Sequence, residues 1–152
     1  MLELPTGVTF SSYAALRTMP ARGPQGLPLF KPPYSRITAI DMNSGEHLWM
    51  IPVGETPDRI RNHPALTNVD VGNTGTGQLA PMTATPNMLL YAGLGSDDTP
   101  YLFAVDKQSG QEIGRVEVPA RSNYGMMSYV HDGKQYVMLQ TGSTLTAVAL
   151  PD

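Results

Sequence analysis

The sequence predicts an all-β fold: a partial β-propeller of about three blades, each a four-stranded antiparallel sheet. Three observations carry the prediction. Fifteen Gly and fourteen Pro fall between short runs rich in Val, Ile, Leu, Tyr and Thr, which is how turns punctuate strands. ITAIDMNSGEHLW at 37–49 comes back as LFAVDKQSGQEIG at 102–114, and in shortened form as LTAVAL at 145–150. The aligned alanines, Ala39, Ala104 and Ala147, lie 65 and then 43 residues apart. The second interval matches the ~40–50-residue period of a propeller blade. The first matches once roughly 20 residues are set aside, which a Pro-, Asn- and Gly-rich insert at 55–77 supplies.

Taken in order, residues 1–36 form an N-terminal segment and the first strand leading into the blades, and SSYAALRTM at 11–19 has the spacing of a short helical turn. Residues 37–152 are the blades, carrying the insert at 55–77. ITAID and LFAVD read as short strands whose Ala39 and Ala104 suit tightly packed inner positions. NSG and QSG read as turns in which Asp41 and Asp106 accept bonds from turn amides, while Gly45 and Gly110 take positive φ. EHLWMIPV and QEIGRVEV return as the next strands, with Leu48 and Ile113 on the same side. MLLYAG at 88–93 supplies another strand. MMSYVHDGKQYVMLQ at 126–140 is a hairpin about the two-residue turn Asp132-Gly133.

Composition removes several classes of function. With 10 Lys and Arg against 13 Asp and Glu, net charge is -3 and no run of one sign occurs, so nucleic acid is not the expected partner. No cysteine is present, which excludes disulfides and thiolate metal sites. No apolar run approaches the ~20 residues that cross a bilayer, and the first residues, MLELPTGVTF, lack the pattern of an export signal. No membrane span is expected.

Candidate site residues each carry two readings. Asp41 and Asp106 invite a catalytic role, yet each precedes its turn by the same offset, which favours a repeated capping role. Trp49 reads as a ring packed between blades. His63, in RNHPAL beside Arg59, Arg61 and Asn62, is either a site residue on a functional insert or a loop anchor. His47 and His131 read as solvent-facing. GNTGTGQ at 72–78 lacks the Lys and the strand-to-helix setting of a phosphate loop and reads as a flexible lead-in to the next strand. No His, Asp and Glu cluster has zinc spacing, and no nucleophile turn is present. The methionines read as core filler.

The pattern A-x-D-x-x-S-G-E-x-x-W, complete as Ala39, Asp41, Ser44, Gly45, Glu46 and Trp49, resembles the tryptophan-docking repeat of the pyrroloquinoline quinone (PQQ) dehydrogenases. GPQGLPLFKPPYSRITAIDMNSGEHLW, RNHPAL and YVHDGKQYVMLQTGSTLTAVALP are similar, in the same order, to the C-terminal part of the family's glucose dehydrogenase branch. The resemblance covers the chain from about Gly23 onward. It implies an eight-bladed, quinoprotein-type propeller with PQQ on its axis, a catalytic Asp and a calcium ion held by Glu, Asn and Asp. It also implies a periplasmic location. No segment here matches the motifs of the catalytic base or the calcium ligands, so no catalytic or metal residue is assigned. PQQ and calcium belong to the full-length family, and neither is expected on this chain alone.

Two positions carry over as cofactor contacts. GQLAPMTATPNMLLYAG resembles the stretch where some alcohol-oxidising members place a Trp, and Leu79 stands at that position. ARSNYGMMSY resembles a loop that approaches the cofactor, with Asn123 as the polar contact. The second repeat departs from the pattern, having Gly114 where the docking Trp belongs, so one blade junction is expected to pack differently. The function implied is a C-terminal propeller segment of a sugar or alcohol dehydrogenase, lining the cofactor funnel and inactive alone. The alternative is a noncatalytic repeat module acting as a scaffold, like the related repeat lipoprotein of outer-membrane protein assembly. Open strand edges and half-covered faces are poor surfaces to leave in water. A homo-oligomer, or assembly with missing blades, is therefore expected.

Overall fold

A computed structural model describes residues 23–149; the helical turn expected at 11–19 lies outside them. Nine strands form three antiparallel sheets of two, four and three strands. Blade 1 contributes β1 (Arg36–Ile40) and β2 (His47–Pro52); blade 2 is β3 (Met82–Ala84), β4 (Met88–Leu94), β5 (Pro100–Asp106) and β6 (Glu112–Glu117). Blade 3 contributes β7 (Met126–His131), β8 (Lys134–Thr141) and β9 (Thr144–Ala149). Each sheet is a meander of sequential neighbours. Blade 2 alone shows the full four-stranded complement among the described residues, and its short β3 was not read from the sequence.

The expected turns form for the expected reasons. Asp132 and Gly133 both have positive φ, 50° and 77°, the geometry whose twist suits a two-residue hairpin. The Asp41 carboxylate accepts from the Asn43 amide at 2.7 Å, and that of Asp106 from the Ser109 amide and hydroxyl at 2.8 Å each. The hydroxyl bond, and then the Ser109 amide, hold the Asp106 pKa below the usual carboxylate range. Both aspartates therefore cap turns. Leu48 and Ile113 are equivalent in the repeat and equally exposed, 58% each, and His47 and His131 face solvent.

Cross-strand pairs show which face meets which neighbour. Ile37 pairs with Ile51 and Ala39 with Trp49; this face of blade 1 packs on Tyr91, Phe103 and Val105 of blade 2. On the other side of blade 2, Leu90, Leu102 and Ala104 meet Met126, Val137, Leu139 and Val148 of blade 3. Blade 2 thus buries both faces against its neighbours, as in a repeat array, whereas blades 1 and 3 each bury one. Tyr91 and Phe103 stack with ring centroids 4.8 Å apart. Burial pushes the Tyr91 hydroxyl pKa up to about 12.

The insert at 55–77 is pinned. It holds the short helix α1 (Asp58–Arg61) and a 3-10 turn at Pro64–Leu66. GNTGTGQ, expected to be a flexible lead-in, is instead a hydrogen-bonded strip, buried at Thr74, Gly75 and Thr76. Thr56 donates to the Gly72 carbonyl at 2.8 Å and accepts from the Thr74 amide at 2.9 Å. The Asn73 side chain bonds the Gly54 carbonyl and the Gly75 amide, each at 2.9 Å. Gly75 must be glycine: its φ is +66°, and a Cβ would lie 2.8 Å from the Ser35 carbonyl oxygen. Sequence spacing missed this because threonines that bond loop backbone leave no periodic signal.

Candidate functional site

Antiparallel pairing brings the end of β4 beside the starts of β3 and β5 and the end of β6. The insert joins them there through the Glu55 amide, which donates to the Leu94 carbonyl at 2.9 Å, and the Asp58 amide, which donates to Ser96. The connector to blade 3 joins as well, since the Arg121 carbonyl accepts from Gly142. The loops that a functional site would use are therefore gathered at one end of the sheets.

A narrow cleft opens at this end, lined by Gln78, Leu79, Tyr101, Val118, Arg121 and Ser122 among others. The two segments singled out in the sequence, 44 positions apart at Leu79 and Asn123, thus approach one another. Leu79 stands at the rim with 83% of its surface exposed. Asn123 follows the lining pair Arg121 and Ser122 and is exposed. The Ser122 hydroxyl donates to the Tyr124 carbonyl at 3.4 Å, which helps fix the loop. Gln78 was not anticipated, yet its Oε1 is buried with no hydrogen-bond partner, an uncompensated acceptor beside the same cleft.

His63 anchors a loop. Its Nδ1 accepts from the Ala65 amide at 3.2 Å, and its Nε2 lies 3.1 Å from the Gln25 carbonyl oxygen. With Nδ1 accepting, the ring proton belongs on Nε2 and is donated to Gln25. Arg115 was also unforeseen. It donates to Glu55 at 2.8 Å and to Glu112 at 3.0 Å, and its guanidinium lies over the Tyr101 and Phe103 rings. The other Glu55 oxygen accepts from the Ser96 amide at 3.1 Å, so one carboxylate ties the insert to two parts of blade 2.

Among the described residues, no group of three or more His, Asp and Glu is placed to hold a metal ion. The cleft presents the unpartnered Gln78 amide oxygen, an acceptor, and an apolar rim at Leu79, with Arg121 among its lining residues. These groups are not the set of several oxygens that a calcium ion takes. No described helix is long and apolar enough to cross a membrane.

Trp49 crosses the junction between blades 1 and 2. Its indole N–H donates to the Lys107 carbonyl at 3.0 Å, and its ring lies so close over Gly110 that a Cβ there would meet it at 2.8 Å. Blade 2 offers Gly114 at the equivalent position, opposite Ala104.

Comparison with known proteins gives this architecture its relatives. The chain is 27% identical to quinoprotein glucose dehydrogenase A of Acinetobacter calcoaceticus, over all of its length and 19% of the relative's. It is 28% identical to the quinoprotein glucose dehydrogenase of Escherichia coli over 98% of its length, and 30% identical to a probable quinate dehydrogenase (quinone) of Xanthomonas campestris over 84%. It spans less than a fifth of the length of these relatives. No solved structure matches it. The PQQ family of glucose/ethanol/alcohol dehydrogenase β-propeller domains matches residues 4–137, and the chain belongs to that family.

Proposed function

We propose that this chain is one wall of the cofactor funnel in a PQQ-dependent dehydrogenase acting on sugar or polyol CH–OH groups, and that it is inactive without further blades. The observation that carries the proposal is the convergence of Leu79 and the 121–123 loop at one cleft. When bound, PQQ supplies the two-electron acceptor of the reaction. This chain's part is to bind and orient: Leu79 packs an apolar edge, Asn123 offers an amide, and Arg121 meets a carboxylate. The base and the calcium ligands come from other blades. A periplasmic location follows from the same resemblance.

The test is an isotope-labelled NMR titration of the 152-residue chain with PQQ, with and without calcium, alongside light scattering and cofactor absorbance. Signals of 78–79 and 121–124 are expected to shift, with no stoichiometric PQQ held in the protein peak and no dehydrogenase turnover. Shifts elsewhere, or none, would remove the wall assignment. Retained PQQ with turnover would remove the claim of inactivity.

A further inference from the structure

A second pocket opens on the side of blade 2 that faces blade 1, and it shares no lining residue with the cleft at Leu79. Ile51 of β2, Tyr91 of β4, Phe103 and Val105 of β5, Glu112 of β6 and Glu55 of the insert border a space of about 200 Å³. An apolar cavity of about 150 Å³ already admits a benzene ring. The space therefore suits one six-membered ring with a small substituent.

The polar groups around it are committed unequally. Glu55 is used on both oxygens, by Arg115 at 2.8 Å and by the Ser96 amide at 3.1 Å. Glu112 gives one oxygen to Arg115 at 3.0 Å, and the other bonds no described residue. Tyr91 is only 4% exposed. Burial raises its pKa and a backbone hydrogen bond at Gly54 lowers it; the lowering marks an amide that donates to the phenol oxygen. The phenol proton itself has no acceptor among the described residues.

These groups select among ligands by charge and by bonding capacity. Two carboxylates against the Arg115 guanidinium leave one net negative charge, which rejects an anion. An ammonium ion has no lone pair for the Tyr91 proton and would compete with Arg115. A hydroxyl group serves both neighbours, because its oxygen accepts from Tyr91 while its proton is donated to Glu112. The walls at Ile51, Phe103 and Val105 match an apolar body. A sugar, hydroxylated all round, would leave hydroxyls unpaired against them.

We propose that the space between blades 1 and 2 is a binding site for a small ring compound bearing one hydroxyl group, a phenol or a cyclic alcohol. The ring packs on Ile51, Phe103 and Val105, and the hydroxyl bridges Tyr91 and Glu112. All of these residues belong to this chain and none is a cofactor contact, so failure of the PQQ reading leaves the site intact.

The probe is phenol, titrated into the isotope-labelled 152-residue chain and followed by NMR, with toluene, glucose and benzoate as comparisons. Phenol is expected to shift the amides of 51–55, 91, 103–105 and 110–112 saturably and to leave those of 78–79 and 121–124 in place. Glucose and benzoate should move none of them. Tyr91→Phe keeps the ring stack and should weaken phenol about fivefold while leaving toluene unchanged, the signature of one lost hydrogen bond. Glu112→Ala, at the partly exposed edge of the pocket, should weaken phenol roughly tenfold, as for a bond to a charged group, and again spare toluene. Equal losses for phenol and toluene, or no loss for phenol in either variant, would overturn the hydroxyl bridge. Binding of glucose or benzoate as tight as that of phenol would overturn the ligand class. No saturable shift at these positions, or saturation at 78–79 and 121–124 instead, would overturn the site.

Discussion

Blade 2 is joined to its two neighbours in different ways. Toward blade 1 it has a buried cluster of Ile37, Val53, Tyr91, Phe103 and Val105. Two specific ties are added: the Trp49 indole on Gly110 and Lys107, and Arg115 bridging Glu55 and Glu112. Toward blade 3 it has Leu90, Leu102, Val118 and Leu139 with flanking Met126, Val137 and Val148, and Gly114 stands where the indole would be. Apolar burial joins blades in either case, since it is roughly proportional to area and indifferent to direction. The directional contacts fix the register of the first junction. The second is described by its apolar packing and is expected to open first, because local opening follows contact density and specific bonding.

The largest test is Trp49→Ala. Deleting the indole removes its packing and its hydrogen bond to Lys107, and a loss of about 3 kcal/mol is expected, as for other large-to-small changes at packed sites. Urea unfolding followed by far-UV circular dichroism reads it, since the variant has no other tryptophan to report fluorescence. A loss under about 1 kcal/mol, within the range of surface substitutions, would mean that the first junction is no better locked than the second.

Alkaline pH probes the same junction from its core. Tyr91 is neutral when folded and its pKa is raised to about 12 by burial, against about 10 for an exposed tyrosine. A raised folded pKa contributes stability that is full below pH 10 and is lost as pH climbs toward 12. The two-unit difference corresponds to roughly 2 to 3 kcal/mol. Unfolding midpoints measured from pH 8 to 12 should fall for the wild type and fall less for Tyr91→Phe. Parallel curves would show that Tyr91 ionises without cost.

The Arg115 bridge is worth less. Both it and Glu55 are about a third exposed, 35% each, so solvent screens the pair, and Glu55→Gln should cost about 1 kcal/mol. Glutamine has a single acceptor oxygen, so keeping the Ser96 bond turns its NH2 toward Arg115, and the charge and one hydrogen bond are lost together. The cost should shrink in 1 M salt. A cost unchanged by salt would assign the effect to the hydrogen bonds instead.

What the sequence disclosed follows the same division. The repeat was legible because Asp41, Gly45, Asp106 and Gly110 do local work within a few residues, and local work leaves a spaced pattern. Trp49 was legible through its place in that pattern. Leu79 and Asn123 were reached through family resemblance, and their approach to one cleft depends on strand pairing that spacing does not encode. The Arg115 bridge joins residues 60 positions apart, and the unpartnered Gln78 oxygen is a fact about surroundings. Neither has a sequence signature. The strip at 72–78 misled because Gly and Thr composition reads as flexibility, whereas its threonines are buried and, with Asn73, bond backbone.

The smallest effect sharpens the comparison most, because it asks whether the second junction is weak by necessity. Gly114 lies in the interior of β6 opposite Ala104. It lacks the positive φ that would demand glycine, and a Cβ there meets nothing within 4 Å. Glycine within a strand weakens it without providing a contact. Gly114→Ala should therefore stabilise the chain by about 0.5 kcal/mol through the unfolded state, where alanine has fewer conformations to lose. If the gain is confined to blade 2, amide exchange in β5 and β6 should slow while that in β7 to β9 stays as it was. Slowing in blade 3 as well would mean that the void at Gly114 sets the opening of the second junction, and that a side chain in the tryptophan's place begins to restore the lock.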